Sequence, residues 1–136
     1  VYDRLNEQKY NVISFIANES TLWESRSGNF RFSDTRSAAW WNARELLDPF
    51  SGPGLALPPD DEDLLIGDLT GPTWKYMSDG KIKVESKDVL RTRLGRSTDY
   101  GDVIIMSLWA EGSSRQVTWE DLVGLSHVEG YVSRWA

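Results

Sequence analysis

ESKDVLRTRLGRSTDYGDVIIMSLW, residues 85–109, carries two helices and most of the charged groups that point to chemistry. Ser86 can cap a helix running to about Leu94, where Gly95 breaks it. A second helix spans about 98–110. Val103, Ile104, Ile105, Met106, Leu108 and Trp109 leave it apolar almost all round, which predicts a central, packed helix. Three basic residues, Arg91, Arg93 and Arg96, lead into Asp99 and Asp102. The two aspartates are three apart at the start of the apolar helix and share one face. An aspartate in that position has two physical uses. As a cap it satisfies free backbone N–H groups; as a ligand it offers a hard oxygen to Mg²⁺ or Mn²⁺, positioned by the packing beneath it. Spacing alone favours the cap, because the D-x-x-D pattern is common.

Working outward, residues 73–77 and 81–85 form a predicted hairpin around Ser78-Asp79-Gly80, with Ile82 and Val84 on one face and Lys81, Lys83 and Glu85 on the other. Residues 34–48 form a helix capped by Ser33 or Asp34, striped by Ala39, Trp40, Ala43, Leu46 and Leu47, and stopped by Pro49. A Gly- and Pro-rich loop, 50–59, leads to a helix over 60–69 whose opening Asp-Asp-Glu-Asp complements the helix dipole, a reading preferred to a metal site. Residues 11–18 (NVISFIAN) are apolar on both alternating faces, which predicts a strand buried on two sides. Residues 1–10 read as a helix with nothing before Val1 to cap it, so the expectation is a start inside or beside a helix of a longer protein. Helix, buried strand, hairpin and packed helices together predict an α/β fold. Residues 112–136 form a linker and short C-terminal tail, with a capping-box helix near 119–125 opened by Thr118 and Asp121.

The chain has 136 residues, enough for one domain with a core. Its 15 Lys+Arg against 21 Asp+Glu give a formal charge of −6, which excludes nucleic-acid binding by bulk positive charge but not a nuclease whose carboxylates hold metal. The absence of cysteine excludes disulfides and thiolate chemistry, and a single histidine, His127, excludes a multi-histidine metal site and supports no nucleophilic triad. Seven tryptophans read as packing residues rather than a base-stacking platform, since they do not line one basic run. No apolar run approaches the length of a membrane span.

The 85–109 stretch resembles the end of the nuclease domain of the large terminase subunit of tailed bacteriophages. That family reads as a Ser-Lys-Asp helix, then Arg-x-Gly-Arg-Ser-Pro-Asp, two residues, and Asp-Ala opening an apolar helix. Here stand Ser86-Lys87-Asp88, Arg93-Leu94-Gly95-Arg96-Ser97-Thr98-Asp99, then Asp102-Val103. Other pieces agree in order. Val1-Tyr2-Asp3-Arg4-Leu5 is similar to the helix after the family's second acidic motif. Thr35-Arg36-Ser37-Ala38-Ala39-Trp40-Trp41 resembles its Asn-x-Arg-Ala-x-x-Trp helix. Leu57-Pro58-Pro59-Asp60 with Leu64 and Leu69 resembles its Leu-Pro-x-Asp-x-x-Leu segment, and Gly80-Lys81-Ile82-Lys83-Val84-Glu85 its Gly-Lys-Ile-x-Val-Glu strand. The likeness covers about residues 1–110. Thr98 departs from the family's proline, and Gly101 and Val103 from the alanines beside the aspartate.

The resemblance implies that residues 1–111 are the C-terminal portion of a ribonuclease-H-like domain, with a mixed sheet, packed helices and a hairpin, and with its N-terminal strands lying ahead of Val1. It implies cleavage of concatemeric viral DNA during genome packaging by two-metal phosphodiester hydrolysis with Mg²⁺ or Mn²⁺, three acids holding the ions. The third acid maps onto Asp102; Asp99 falls where some members carry an accessory acid or histidine. The first two acids map upstream of Val1, so the chain by itself is expected to hold an incomplete site. Lys87, Arg91, Arg93, Arg96 and Arg36 become candidate contacts to DNA phosphates. For Arg36 alone, pairing with a neighbouring acid is the preferred role. The family's partners are double-stranded DNA, the terminase ATPase domain, the small terminase subunit and the portal, and its setting is the cytoplasm of an infected or lysogenic bacterium. No phosphate-binding loop of the ATPase occurs here. The alternative from another class is a non-catalytic prophage remnant or interaction fragment lacking the upstream acids. An unrelated acidic α/β binding domain is the third reading, against which the ordered motifs stand.

Overall fold

The computed structural model describes residues 2–10, 12–50, 52, 55–57, 59 and 63–109. The predicted helix near 119–125 and the tail 112–136 lie outside the described residues. The architecture is mixed α/β. Among the described residues five helices, α1 (Tyr2–Glu7), α2 (Thr35–Leu47), α3 (Leu64–Thr70), α4 (Lys87–Leu94) and α5 (Asp99–Leu108), accompany an antiparallel pair, β1 (Trp74–Tyr76) and β2 (Ile82–Val84).

Local chemistry sets most of these boundaries. Asp34 caps α2 from an extended conformation, its carboxylate accepting from the Ser37 backbone N–H at 2.8 Å and the Ser37 hydroxyl at 2.6 Å. Asp48, ahead of Pro49, turns extended and ends the helix. The Ser37 hydroxyl oxygen also accepts from the Val84 N–H at 2.9 Å, which ties α2 to β2. Ser86 caps α4 through the Val89 N–H, and Gly95, at φ +70°, closes it with a bond to the Arg91 carbonyl. In the hairpin, Trp74 faces Val84, Lys75 faces Lys83 and Tyr76 faces Ile82. Gly80 supplies the positive φ of the turn, +78°, and the Asp79 carboxylate accepts from the Lys81 N–H.

The core lies between α2, β2 and α5. Trp40, Trp41, Phe32, Ile82, Ile105 and Trp109 are buried together there, so these tryptophans pack the interior. α5 packs against α2 and α3. Two single bridges flank this core, Glu24 to Arg31 and, in parallel sense, Phe32 to Ile82.

Three expectations are corrected. The helix expected over 60–69 begins at Leu64 with no acid in its first turn, and Asp63 just before it, at φ +54°, makes no side-chain cap bond. The described part of 11–18 forms no strand. It runs instead across the start of α2, the Ala17 carbonyl accepting from the Arg36 N–H and the Glu19 carbonyl from the Thr35 N–H. Ile13 and Ile16 are exposed, because no strand among the described residues lies beside them to complete a ladder. Nor is α5 packed on all sides. Gly101 and Ile105 are buried, whereas Tyr100, Val103 and Met106 are exposed, since only the face toward α2 and α3 finds partners among the described residues.

At the join of hairpin and α4, Glu85 accepts two bonds from the Arg93 guanidinium, at 3.1 and 2.7 Å, and two from Thr73. Bonding to Arg93, reinforced by Thr73, holds its carboxyl at about 2 against an ordinary 4.5. A depressed acid contributes stability above its unfolded pKa and loses it as pH falls through the folded one. The melting temperature should therefore drop as pH falls from 4.5 toward 2. Glu85→Gln should melt lower than the parent at pH 7, and thermal melts at each pH should show that gap closing near pH 2.

Candidate functional site

The first turn of α5 carries both predicted carboxylates, and the structure places them against two cations from other elements. Asp102 is largely buried, its side chain 13% exposed. One carboxylate oxygen accepts from Arg36 Nη1 at 2.9 Å and the other from Lys87 Nζ at 2.8 Å. Asp99, 72% exposed, accepts from the same Lys87 Nζ at 2.8 Å and from the Ser97 hydroxyl at 2.7 Å. Lys87 opens α4 and thus bridges the aspartates from a neighbouring helix. Its bonds to Asp102 and then Asp99 raise its pKa, and Lys87, Ser97 and the nearby Arg91 lower that of Asp99.

Arg36 reaches the site from the first turn of α2. Its side chain is 11% exposed, its Nε donates to the Glu85 carbonyl at 3.4 Å, and its guanidinium lies 5.5 Å from the centre of the Trp40 ring. Its Nη2 is buried without a partner among the described residues. The preferred structural role of Arg36 is what the geometry displays, and the acid it meets is Asp102. A cavity of about 400 Å³ opens beside the group, lined by Phe15, Asp34, Lys83, Lys87, Asp88 and Asp102 among others.

The remaining predicted cations divide. Arg91 is exposed and close enough to Asp99 to act on its titration. Arg93 turns away to Glu85 and to the Gly71 carbonyl. Arg96 pairs with Asp68 on α3 and donates to the Ser97 and Leu64 carbonyls.

Asp68 was not singled out by the sequence, yet it positions the site. It is fully buried, and beside its bond to Arg96 it accepts the Gly101 N–H at 3.1 Å. Thr98, the residue before α5, makes no side-chain cap bond, so Asp68 caps α5 from another helix. Asp99 and Asp102 are thereby released from the capping role that spacing favoured. Gly101 permits this approach: a Cβ there would lie 2.9 Å from the Asp68 Cβ, a physical reason for glycine where the resemblance expects alanine. The available signal was an acid inside the apolar stretch Leu-Leu-Ile-Gly-Asp-Leu of α3.

Divalent Mg²⁺ or Mn²⁺ wants several oxygen ligands and a net negative site. Asp99 and Asp102 supply hard oxygens on one face, but two carboxylates meet two cations, Arg36 and Lys87. Among the described residues no group of three acids or histidines forms around them. As arranged, these residues do not fit a complete two-metal centre. No helix among the described residues is long and apolar enough to cross a membrane. In comparisons with known proteins, the sequence matches no family model and shows no significant match to a curated protein.

Proposed function

We propose that the chain is the C-terminal portion of a terminase-type, ribonuclease-H-like nuclease domain that contributes to cleavage of viral DNA during packaging. The observation that carries the reading is Asp102: a carboxylate shielded at the start of a packed helix, beside a cavity, with Lys87 on it and Arg91 near its neighbour Asp99. These are the positions at which the ordered motifs place the third acid and its basic surroundings. The chemistry of that family is metal-dependent hydrolysis of a phosphodiester, in which the ions activate water and stabilise the leaving oxygen. Within this chain Asp102 supplies one acid of the set, Asp99 an accessory one, and Lys87 and Arg91 face the backbone of double-stranded DNA. The ATPase domain, small subunit and portal would be the partners, and an infected bacterial cytoplasm the setting.

A second reading, a non-catalytic prophage remnant or interaction fragment, is favoured by the charge-balanced carboxylate pair. The coding sequence ahead of Val1 separates the two. The nuclease reading expects an aspartate on a strand and a second acid before a Gly-rich turn, both in frame; an in-frame segment lacking both acids would contradict it.

A further inference from the structure

The disagreement between the metal site that the resemblance implies and the residues present leads to a specific role for Lys87. We infer that the Lys87 ammonium acts as a built-in cation at the Asp99–Asp102 pair, holding both carboxylates in place and closing them to divalent metal. The inference rests on the reading of these two aspartates as cation-facing groups and adds the regulation of their access.

The geometry is that of a bridging cation. One Nζ lies 2.8 Å from Asp99 Oδ1 and 2.8 Å from Asp102 Oδ2, so a single positive centre joins two carboxylates that stand three residues apart on one helix face. Two lysines of equal exposure show how particular this is. The side chains of Lys81, Lys83 and Lys87 are 43%, 45% and 43% exposed, yet Lys81 and Lys83 approach one carboxylate each, at 3.4 and 3.9 Å. Arg36 holds the other oxygen of Asp102 from below, so the pair is neutralised from two sides. A hard divalent ion entering here must displace the ammonium, because the space between the two carboxylates is taken and the local charge sums to zero. Lys87 is also the member of the group that can leave. It is half exposed on a flexible stem, whereas Arg36 is buried under Trp40. Lys87 is therefore a positioning residue, and the step that exposes the aspartates to metal is the withdrawal of its side chain.

The test uses the full chain and Mn²⁺ alone, without DNA. Lys87→Met removes the ammonium and keeps the apolar stem. Titration followed by the electron-spin resonance of free Mn²⁺ should show binding at least about tenfold tighter in Lys87→Met than in the parent. Lys87→Arg should stay at the parent's level, and Lys87→Met combined with Asp102→Asn should lose the gain. Equal affinity in the parent and Lys87→Met, or a gain that survives Asp102→Asn, overturns the inference. The unsubstituted protein gives an independent measurement. In limited acetylation read by mass spectrometry, Lys87 should react at least about threefold more slowly than Lys81 and Lys83, since two carboxylates hold its Nζ at 2.8 Å and must release it before it can attack. Equal rates would also overturn it. Neither readout depends on DNA cleavage; the nuclease reading is tested by cleavage with the upstream acids restored, so its failure there would leave this inference standing.

Discussion

Asp102→Ala will lower the stability of the folded chain by about 3 kcal/mol, a drop in melting temperature of about 10 °C. The cause is the guanidinium left behind. Arg36 is 11% exposed, its Nη2 already lacks a partner among the described residues, and Asp102 is the carboxylate that compensates its charge. Removing one member of a buried pair leaves the full desolvation penalty of the other in place. Asp102→Asn keeps the shape and an acceptor for Nη1, so its cost should be roughly half as large. Asp99→Ala provides the contrast. Asp99 is 72% exposed and its main partner, Lys87, can turn to solvent, so the melting temperature should barely move. Urea denaturation of the three variants checks the order. Equal, small effects at both aspartates would mean that Asp102 is not held as described.

The other large effect should come from Asp68→Ala, at about 2–3 kcal/mol. Two groups lose a carboxylate acceptor at once: the Arg96 guanidinium, which keeps the Ser97 and Leu64 carbonyls, and the Gly101 N–H at the start of α5. Arg96 is 36% exposed and regains some water, which limits its share of the loss. The Gly101 N–H is the more telling one, because Thr98 offers α5 no cap bond of its own. Backbone hydrogen exchange should accelerate in the first turn of α5 in the variant, and with it the placement of Asp102 should loosen. Asp68→Asn, which can still accept the Gly101 N–H, should protect that turn while losing the ion pair. Unchanged exchange at Gly101 in Asp68→Ala would refute the capping role.

Much of the fold could be read from the chain because it rests on local chemistry. The Asp34 cap, the Pro49 stop, the Asp79-Gly80 turn, the Ser86 cap and the Gly95 termination each act within a few residues, and each falls where expected. The placement of 11–18 could not be read in the same way. A doubly apolar run becomes a strand only beside another strand, and here its Ala17 carbonyl, with that of Glu19 just beyond it, meets the first turn of α2 instead. The exposed face of α5 has the same origin: apolarity in sequence demands cover but does not say where the cover comes from. In the candidate site, the spacing of Asp99 and Asp102 showed that they share one helix face, but by itself it favoured a capping role. The partners Arg36 and Lys87 come from α2 and α4, and no sequence spacing predicts that they meet on one carboxylate. Asp68 was hidden for a similar reason, since it caps a helix 33 residues away. Its one visible trace, an acid within an apolar helix, marks a buried charge that must be paired.

The nuclease proposal is tested most directly by Mn²⁺-dependent cleavage of supercoiled plasmid by the chain extended through whatever in-frame coding sequence stands ahead of Val1, beside the same protein with Asp102→Asn. The extended chain should nick and linearise the plasmid, and the variant should lose at least about 100-fold of that activity. An extended chain that binds Mn²⁺ and does not cut, or a variant that cuts as well as its parent, would contradict the proposal.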